Sequence, residues 1–317
     1  MPNPADFDFA GLPNWTLLQV DGIDALEFLQ GQLTQDIKGL NGVQWRYAGY
    51  CNAKGRLLTT AFVWQAAPMQ LFLAVPSNNA DFVQKRLAMF VLRAKVKISP
   101  APHSMQALGL LSAAAIAALA ANDCQLASGS LTRLDDDQAG AAYLLNCSSP
   151  AAPRYLLWLP SGHRLWPIFA PHAASLADWQ AAELQAGIAH VDAASREAFV
   201  PQMINFELIG GVNFQKGCYP GQEVVARSQY LGKLKRRMGI ATVVGGAPIG
   251  TLDDVLMVGS AEPVGSVVSA VSDAASGQSW LTFTSTLTAQ VEGQLHLVDG
   301  RPLDLQPLPY PITDITA

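Results

Sequence analysis

The sequence predicts a mixed α+β core that is followed by a smaller all-β region. The first observation is that β-prone runs alternate with runs of helical apolar spacing up to about residue 238, and that several neighbours are joined by hairpin-like turns. The second is that short β-prone runs separated by Gly and Pro follow, with no helical pattern between them. We therefore predict a core domain over residues 1–235 and a β-sandwich or small β-barrel over residues 236–317.

Turn and capping residues separate the predicted elements of the chain. Residues 15–20 are apolar and β-prone, and the Asp21-Gly22 pair predicts a turn before a helix that starts at Asp24, with Asp21 as its candidate cap. Later helices are predicted where apolar residues recur three and four positions apart, and strands where β-prone runs end at Gly or Pro. In chain order these are strands at 43–50 and 56–64 with a hairpin turn at 52–55, a strand at 70–75, a helix at 78–91 capped by Ser77, strands at 94–98 and 105–110, an Ala-rich helix at 112–121, strands at 141–146 and 155–159, a helix at 175–186, and C-terminal strands at 240–244, 264–271, 280–284 and 294–298.

Composition excludes several classes of protein. Of the 317 residues, 50% are hydrophobic and 14% charged, which is the opposite of the balance found in disordered chains. The net charge of −5 argues against a whole-surface nucleic-acid binder. The longest apolar stretch, residues 108–121, is too short to span a membrane, so no membrane partner is expected. The N-terminal residues match neither a secretory signal nor a transit peptide, and we expect a cytoplasmic location.

The cysteines and histidines do not form a recognisable metal site. The four cysteines are widely spaced without a CxxC pair, so we expect reduced thiols and no stable metal. Three of the five histidines, His163, His172 and His190, are candidate bases, but no spacing connects any of them to a cysteine.

The segment at 214–227 contains the densest set of residues with chemical potential. Pro220 suits a first helical turn, and Glu223 complements the positive end of that helix. Cys218 would then lie just outside this end, with Lys216 two residues away, and both features favour the thiolate. The alternative is a Gly-Cys turn that packs a buried, inert sulfur.

A basic cluster follows this segment. Lys233, Lys235, Arg236 and Arg237 form either a solvated face or a contact for phosphate or a polyanion. Because this cluster is small and the chain is acidic overall, we do not expect direct binding of tRNA.

The sequence KGCYPGQE at 216–223 closely resembles the K-G-C-Y-x-G-Q-E motif of the YgfZ family, which is related to the T-protein of the glycine cleavage system. The stretches FLQGQLTQDI at 28–37, CNAKGRLL at 51–58, the run that leads into the motif at 187–218, and PLPY at 307–310 resemble the same family in order. The resemblance implies two interleaved α+β lobes around a folate-sized opening, followed by a C-terminal β-barrel.

The resemblance also implies site residues. Family members bind a reduced folate, so tetrahydrofolate or a derivative is the implied cofactor, and Trp15 and Trp179 match the two tryptophans most often assigned to it. An indole offers a broad stacking surface for a pterin ring, although both tryptophans could equally be core aromatics. Cys218 is the implied reactive thiol, with Lys216 beside it. The supporting motif residues are Gly217, Tyr219, Gly221, Gln222, Glu223 and Arg227.

One departure from the wider superfamily bears on activity. Thr59 and Thr60 stand where the T-protein has an acidic pair, and a hydroxyl cannot replace a carboxylate base near neutral pH. The resemblance therefore implies a folate-binding auxiliary factor, not a classical enzyme, that supports assembly or repair of iron–sulfur clusters and affects tRNA thio-modification indirectly. Its partners would be iron–sulfur enzymes or assembly proteins, with a transient cluster contact at Cys218. The alternative is a folate-dependent one-carbon transferase, for which Glu223 and Glu207 are the candidate replacement carboxylates.

Overall fold

The computed structural model of the protein describes residues 11–102, 105–149, 152–230, 236–260, 262–273 and 276–312. The chain forms two compact units, and each unit is assembled from separate stretches of sequence. Unit 1 contains residues 1–32, 36–48 and 61–179, and unit 2 contains residues 33–35, 49–60 and 180–317.

Unit 1 contains most of a five-stranded sheet. Its strand order is β2-β3-β4-β1-β5, and β1 pairs antiparallel with both β4 and β5. Strand β3 is an almost continuous apolar run and buried along nearly its whole length, as expected of a strand covered on both faces. The strands are β1 (Trp15–Asp21), β2 (Trp45–Cys51), β3 (Leu57–Ala67), β4 (Gln70–Pro76) and β5 (Lys97–Pro100), with helices α1 (Ala25–Gln30) and α2 (Ala80–Ala88).

A second, four-stranded antiparallel sheet completes unit 1, in the order β6-β9-β8-β7. Its core is formed mainly by leucines of the strands and the apolar faces of the following helices. Ser112, the first residue of the predicted Ala-rich helix, is the N-cap of that helix, because its hydroxyl accepts a hydrogen bond from Ala115 N at 3.1 Å. The elements are β6 (Met105–Leu110), α3 (Ala113–Ala120), β7 (Leu131–Leu134), β8 (Ala142–Asn146), β9 (Tyr155–Pro160), α4 (Trp166–Phe169) and α5 (Leu176–Gln185), the last of which continues into unit 2.

Helix α2 is shorter than the predicted helix at 78–91. Ser77 does not cap it, since its hydroxyl instead donates to Pro13 O at 2.8 Å and accepts from the hydroxyl of Thr16. The helix ends before Leu92, whose φ of 42° lies in the left-handed region. The apolar spacing beyond residue 88 therefore belongs to a connecting segment rather than to the helix.

Unit 2 contains a six-stranded antiparallel sheet in the order β14-β11-β12-β13-β10-β15. The predicted all-β character is confirmed apart from one short helix, α7, whose N-cap Thr286 accepts a hydrogen bond from Ala289 N. No ladder joins the two edge strands β14 and β15 within the described residues, so closure of this sheet into a barrel stays a prediction. The elements are α6 (Gln222–Tyr230), β10 (Arg236–Val244), β11 (Asp254–Met257), β12 (Gly265–Asp273), β13 (Gln278–Thr286), α7 (Leu287–Glu292), β14 (Leu295–Leu297) and β15 (Asp304–Gln306).

The predicted boundary between residues 235 and 236 lies inside unit 2, which joins residues 180–235 to the C-terminal sheet. The division into domains over 1–235 and 236–317 therefore stays a prediction. Across the part of the chain that the structure describes, no helix is long and apolar enough to cross a membrane.

Candidate functional site

Cys218 lies on an exposed loop that leads into α6 and is four residues ahead of its first residue, Gln222. The predicted helix after Pro220 is therefore present, and the alternative of a buried sulfur at Cys218 is wrong. No hydrogen bond to its thiol occurs within the described residues. The thiol is accordingly free to meet a partner from solvent.

Gly221 fixes the end of this loop against the hairpin turn after β2. Its φ is +79°, and a Cβ added there would lie 2.3 Å from Asn52 O and 2.5 Å from Gly55 N. The turn itself is closed by Gly55 N, which donates to Asn52 O at 3.0 Å. Only glycine satisfies both the left-handed backbone and the close approach. The turn at 52–55 and the end of the cysteine loop therefore pack directly against each other.

Lys216 anchors the other side of the loop. Its ammonium donates to Leu33 O at 2.6 Å and lies 5.0 Å from the centre of the Tyr219 ring, so a carbonyl and an aromatic face both stabilise the charge. Tyr219 is buried, and this burial raises the pKa of its phenol far above the usual value; the nearby Cys51 acts in the same direction. The structure thus gives Lys216 a positioning contact with Leu33 and Tyr219.

The remaining motif residues lie around the start of α6. Gln222 is half-buried, and its side-chain amide lies 3.5 Å from Lys216 O. Glu223 and Arg227 are exposed on α6 and form no ion pair within the described residues. Gly217 has open space around the position of a Cβ. The side chains of Glu223 and Arg227 are accordingly available to a docking partner, whereas Tyr219 and Gly221 hold the loop.

The other three cysteines are buried. Burial raises the pKa of Cys51 to about 12, and burial together with Asp123 raises the pKa of Cys124 to about 11. Cys147 is also buried. Cys218 is therefore the one cysteine of the four that a reagent or a protein partner can reach in the folded chain.

The threonines that stand where a carboxylate pair is expected in the T-protein are both buried and hydrogen-bonded. Thr59 donates at 3.2 Å to Val191 O, and the hydroxyl of Thr60 lies 3.2 Å from His190 Nδ1. The other ring nitrogen of His190 lies 3.0 Å from a carboxylate oxygen of the buried Glu183. This chain of hydroxyl, imidazole and carboxylate is not apparent from the sequence, because Thr60 and His190 are 130 residues apart.

Glu207 and Arg237 form a buried ion pair. Arg237 also donates to Gln202 O at 3.0 Å. The carboxylate of Glu207, paired with this buried guanidinium, is itself shielded from solvent. The basic cluster at 233–237 is consequently smaller than its sequence indicates: Arg236 is exposed, Arg237 is internal, and the three residues at 233–235 lie outside the described residues.

Both tryptophans implied in folate binding lie in unit 1. Trp15 on β1 retains 6% exposure and contacts the Phe62 ring edge-on at 5.0 Å. Trp179 on α5 is fully buried, and its ring covers Gly109, where an added Cβ would lie 2.5 Å from the indole. Its indole N–H has no acceptor in the described part of the chain. The two indole rings and the unsatisfied N–H of Trp179 suit an aromatic ligand that accepts a hydrogen bond. Trp179 itself has no surface exposed to solvent.

Within the described residues no group of three or more His, Cys, Asp or Glu side chains is placed to hold a metal ion. His163 is buried with its ring nitrogen 3.2 Å from Leu134 O, and burial lowers its pKa. Among the described residues, none of the three candidate histidines, His163, His172 and His190, hydrogen-bonds the thiol of Cys218.

No family model matches the chain. Curated relatives are nevertheless similar over most of its length. A tRNA-modifying protein YgfZ from Edwardsiella ictaluri is 33% identical over 232 residues, which cover 72% of this chain and 68% of the relative. One of the same name from Sodalis glossinidius is 30% identical over 313 residues, which cover 95% of this chain and 92% of the relative.

A solved structure shares the fold. The glycine cleavage system aminomethyltransferase T from Bartonella henselae aligns with a TM-score of 0.73 at 17% identity, covering 94% of this chain and 84% of that one. At this identity the likeness concerns the fold alone. It agrees with the predicted α+β architecture of the T-protein type.

Proposed function

Because the chain belongs to the YgfZ family of tRNA-modifying proteins, we propose that it is a folate-binding auxiliary factor that supports iron–sulfur enzymes. Its effect on tRNA thio-modification is then indirect, through modifying enzymes whose clusters it helps to assemble or repair. The observation that carries this proposal is the placement of Cys218. It is the one exposed cysteine of four, on a loop that buried anchors hold on both sides.

Cys218 is proposed to act on a cluster that belongs to a client protein. Iron–sulfur clusters usually require four protein ligands, and one exposed thiol cannot supply them. The cluster is therefore a transient substrate whose other ligands come from the client. Lys216 and Gly221 position the loop so that the thiol faces outward, and the exposed Glu223 and Arg227 lie on the adjoining helix, where a client can contact them.

Trp15 and Trp179 are the residues proposed to hold the folate, by stacking against its aromatic rings. When bound, a reduced folate supplies a one-carbon carrier. Trp15 keeps a small exposed area, and the N–H of Trp179 lacks an acceptor in the described part of the chain; both features suit a bound heterocycle.

The one-carbon transferase remains the competing function, and two observations weigh against it. The hydroxyls of Thr59 and Thr60 are used in internal hydrogen bonds, and Glu207 is held by Arg237. Only Glu223 is left of the two candidate carboxylates, and it is exposed to solvent. Consumption of a methylated or aminomethylated donor with formation of methylene-folate would establish the transferase instead.

A titration with tetrahydrofolate, followed by tryptophan fluorescence, tests the ligand. We expect saturable quenching in the wild type and at least 10-fold weaker binding in Trp15→Ala. Because Trp179 is fully buried, Trp179→Phe is the better variant there, since it keeps an aromatic ring and removes the indole N–H. Trp45→Phe, on strand β2 of the same sheet as Trp15, is the matched control and should bind normally. Absence of quenching at millimolar folate would contradict the proposal.

A further inference from the structure

A second group of cations, on unit 1, is larger than the cluster at 233–237. Five of the 20 lysines and arginines of the chain lie within residues 85–97, a stretch without any Asp or Glu. Four of the five are exposed and one is half-buried. We call this set the 85–97 surface; it consists of Lys85, Arg86, Arg93, Lys95 and Lys97, together with the exposed apolar residues between them.

None of these five cations forms an ion pair with another described residue. Asp24 accepts from the backbone N–H of Lys95 at 2.7 Å, and not from its ammonium. Asp81 lies on the first turn of α2, and Asp21 on β1 is the register partner of Lys97. An acidic protein that concentrates unpaired cations in one place favours an anionic partner at that place.

The apolar part of the 85–97 surface is exposed to an unusual degree. Met89 is 69% exposed, Leu92 is 88% exposed, and Phe90 is 40% exposed. The guanidinium of Arg86 lies 5.8 Å from the centre of the Phe90 ring. A guanidinium plane beside an aromatic ring provides the stacking platform on which unpaired bases are held.

The backbone of this surface is held firmly against the end of β1. At Gly22, just after the strand, an added Cβ would lie 1.9 Å from Lys95 O, and the side chain of Gln84 donates to Ile98 O at 3.2 Å. The cations are thus presented on a fixed scaffold. A fixed array loses less conformational freedom on binding than a loose tail does.

We propose that the 85–97 surface is a docking surface for unpaired regions of RNA, with its cations on phosphates and Phe90 against a base. Charge complementarity selects a polyanion, and the Arg86–Phe90 pair favours bases over lipid headgroups or carboxylates. The inference goes beyond the proposed function, which needs no contact between this protein and RNA, and its failure would leave that function intact. It replaces the expectation of no direct tRNA binding, which rested on the cluster at 233–237 and the net charge alone.

Binding of fluorescently labelled, unfractionated tRNA to the full-length protein, measured by anisotropy at 50 and 200 mM KCl, tests this. The test variant is Lys85→Gln/Arg93→Gln/Lys95→Gln. The control is Lys233→Gln/Lys235→Gln/Arg236→Gln, which removes the same charge elsewhere. We expect the wild type to bind with half-saturation below about 10 μM at 50 mM KCl, within the range of sequence-independent binding. The test variant should bind at least 10-fold more weakly, and the control within twofold of the wild type.

The salt dependence adds a second readout. Each phosphate contact contributes about 0.7 to 0.9 to the slope of log affinity against log salt, so the test variant should lose about 2 from that slope. Phe90→Leu should weaken binding at least threefold while leaving the slope unchanged, because it removes stacking and no charge.

Three results would overturn the inference. The first is no binding of tRNA by the wild type at 50 mM KCl. The second is an equal loss in the control variant, which would place any binding elsewhere. The third is binding to poly-L-glutamate, or to vesicles of equal parts phosphatidylglycerol and phosphatidylcholine, as tightly as to tRNA. That result would assign the surface to an acidic protein or to a membrane.

Discussion

Replacing Gly221 by alanine should destabilise the folded chain more than any other single methyl group added to the cysteine motif. The φ of Gly221 is +79°, and left-handed backbone costs a non-glycine residue about 1–2 kcal/mol. The new Cβ would also lie 2.3 Å from Asn52 O and 2.5 Å from Gly55 N, both backbone atoms of a closed turn. Such overpacking costs about 1–3 kcal/mol. We therefore expect a loss of about 2–5 kcal/mol in the free energy of unfolding.

The assay is urea unfolding followed by tryptophan fluorescence. With a slope of about 3 kcal/mol per M, a loss of about 3 kcal/mol lowers the midpoint by about 1 M. Gly217→Ala is the matched control, since it adds the same methyl group four residues away where no atom lies within 4 Å. Its midpoint should change little, as is usual for open surface sites. Equal midpoints for the two variants would refute the claim that the hairpin turn holds the cysteine loop.

Three further predictions concern thiols, pH and the buried ion pair. One thiol per chain, that of Cys218, should react quickly with a disulfide reagent at pH 8. The buried thiols, such as that of Cys51, whose pKa is raised to about 12, should react only on unfolding. A second fast-reacting thiol in the folded protein would contradict this. Burial raises the pKa of Tyr310 to about 12, against about 10 in the unfolded chain, so its contribution to stability is complete below pH 10. As the pH rises from 10 to 12 the free energy of unfolding should fall by up to about 1.4 kcal/mol per pH unit. Tyr310→Phe should flatten this part of the pH dependence, and an unchanged profile would refute the prediction. Glu207→Gln should lower the free energy of unfolding by about 3–5 kcal/mol because Arg237 is left buried without its carboxylate, and recovery of stability in Glu207→Leu/Arg237→Met would confirm that the loss comes from the unpaired charge.

Local sequence signals predict much of this architecture. Spacing and turn residues predict most strands and helices up to residue 186 and the helix after Pro220, but not strand β7 and helix α4. The elements that sequence reasoning missed are short, such as α7 and strands β11 and β15. Runs of three to six residues give too little periodicity to separate them from turns.

The candidate site divides in the same way. The motif identifies Cys218 and its flanking glycines, but the anchor of Lys216 on Leu33 O spans 183 residues, and no local pattern carries that information. The pairing of His190 with Glu183 was similarly hidden, because neither residue belongs to a recognisable motif. The five cations of the 85–97 surface occur without an acid, and this signal is visible in the sequence. Because the cations alternate with apolar residues, the same stretch also fits a helix followed by a strand, and the pattern predicts those elements instead.

The most direct test of the proposed function measures thio-modified nucleosides in tRNA by mass spectrometry, in cells that lack the native protein. The cells would express the wild type, Cys218→Ser, or Cys124→Ala as a control for a buried cysteine. We expect the wild type and Cys124→Ala to restore the modification and the activity of iron–sulfur enzymes, and Cys218→Ser to restore neither. Full restoration by Cys218→Ser, at equal protein level, would contradict the account.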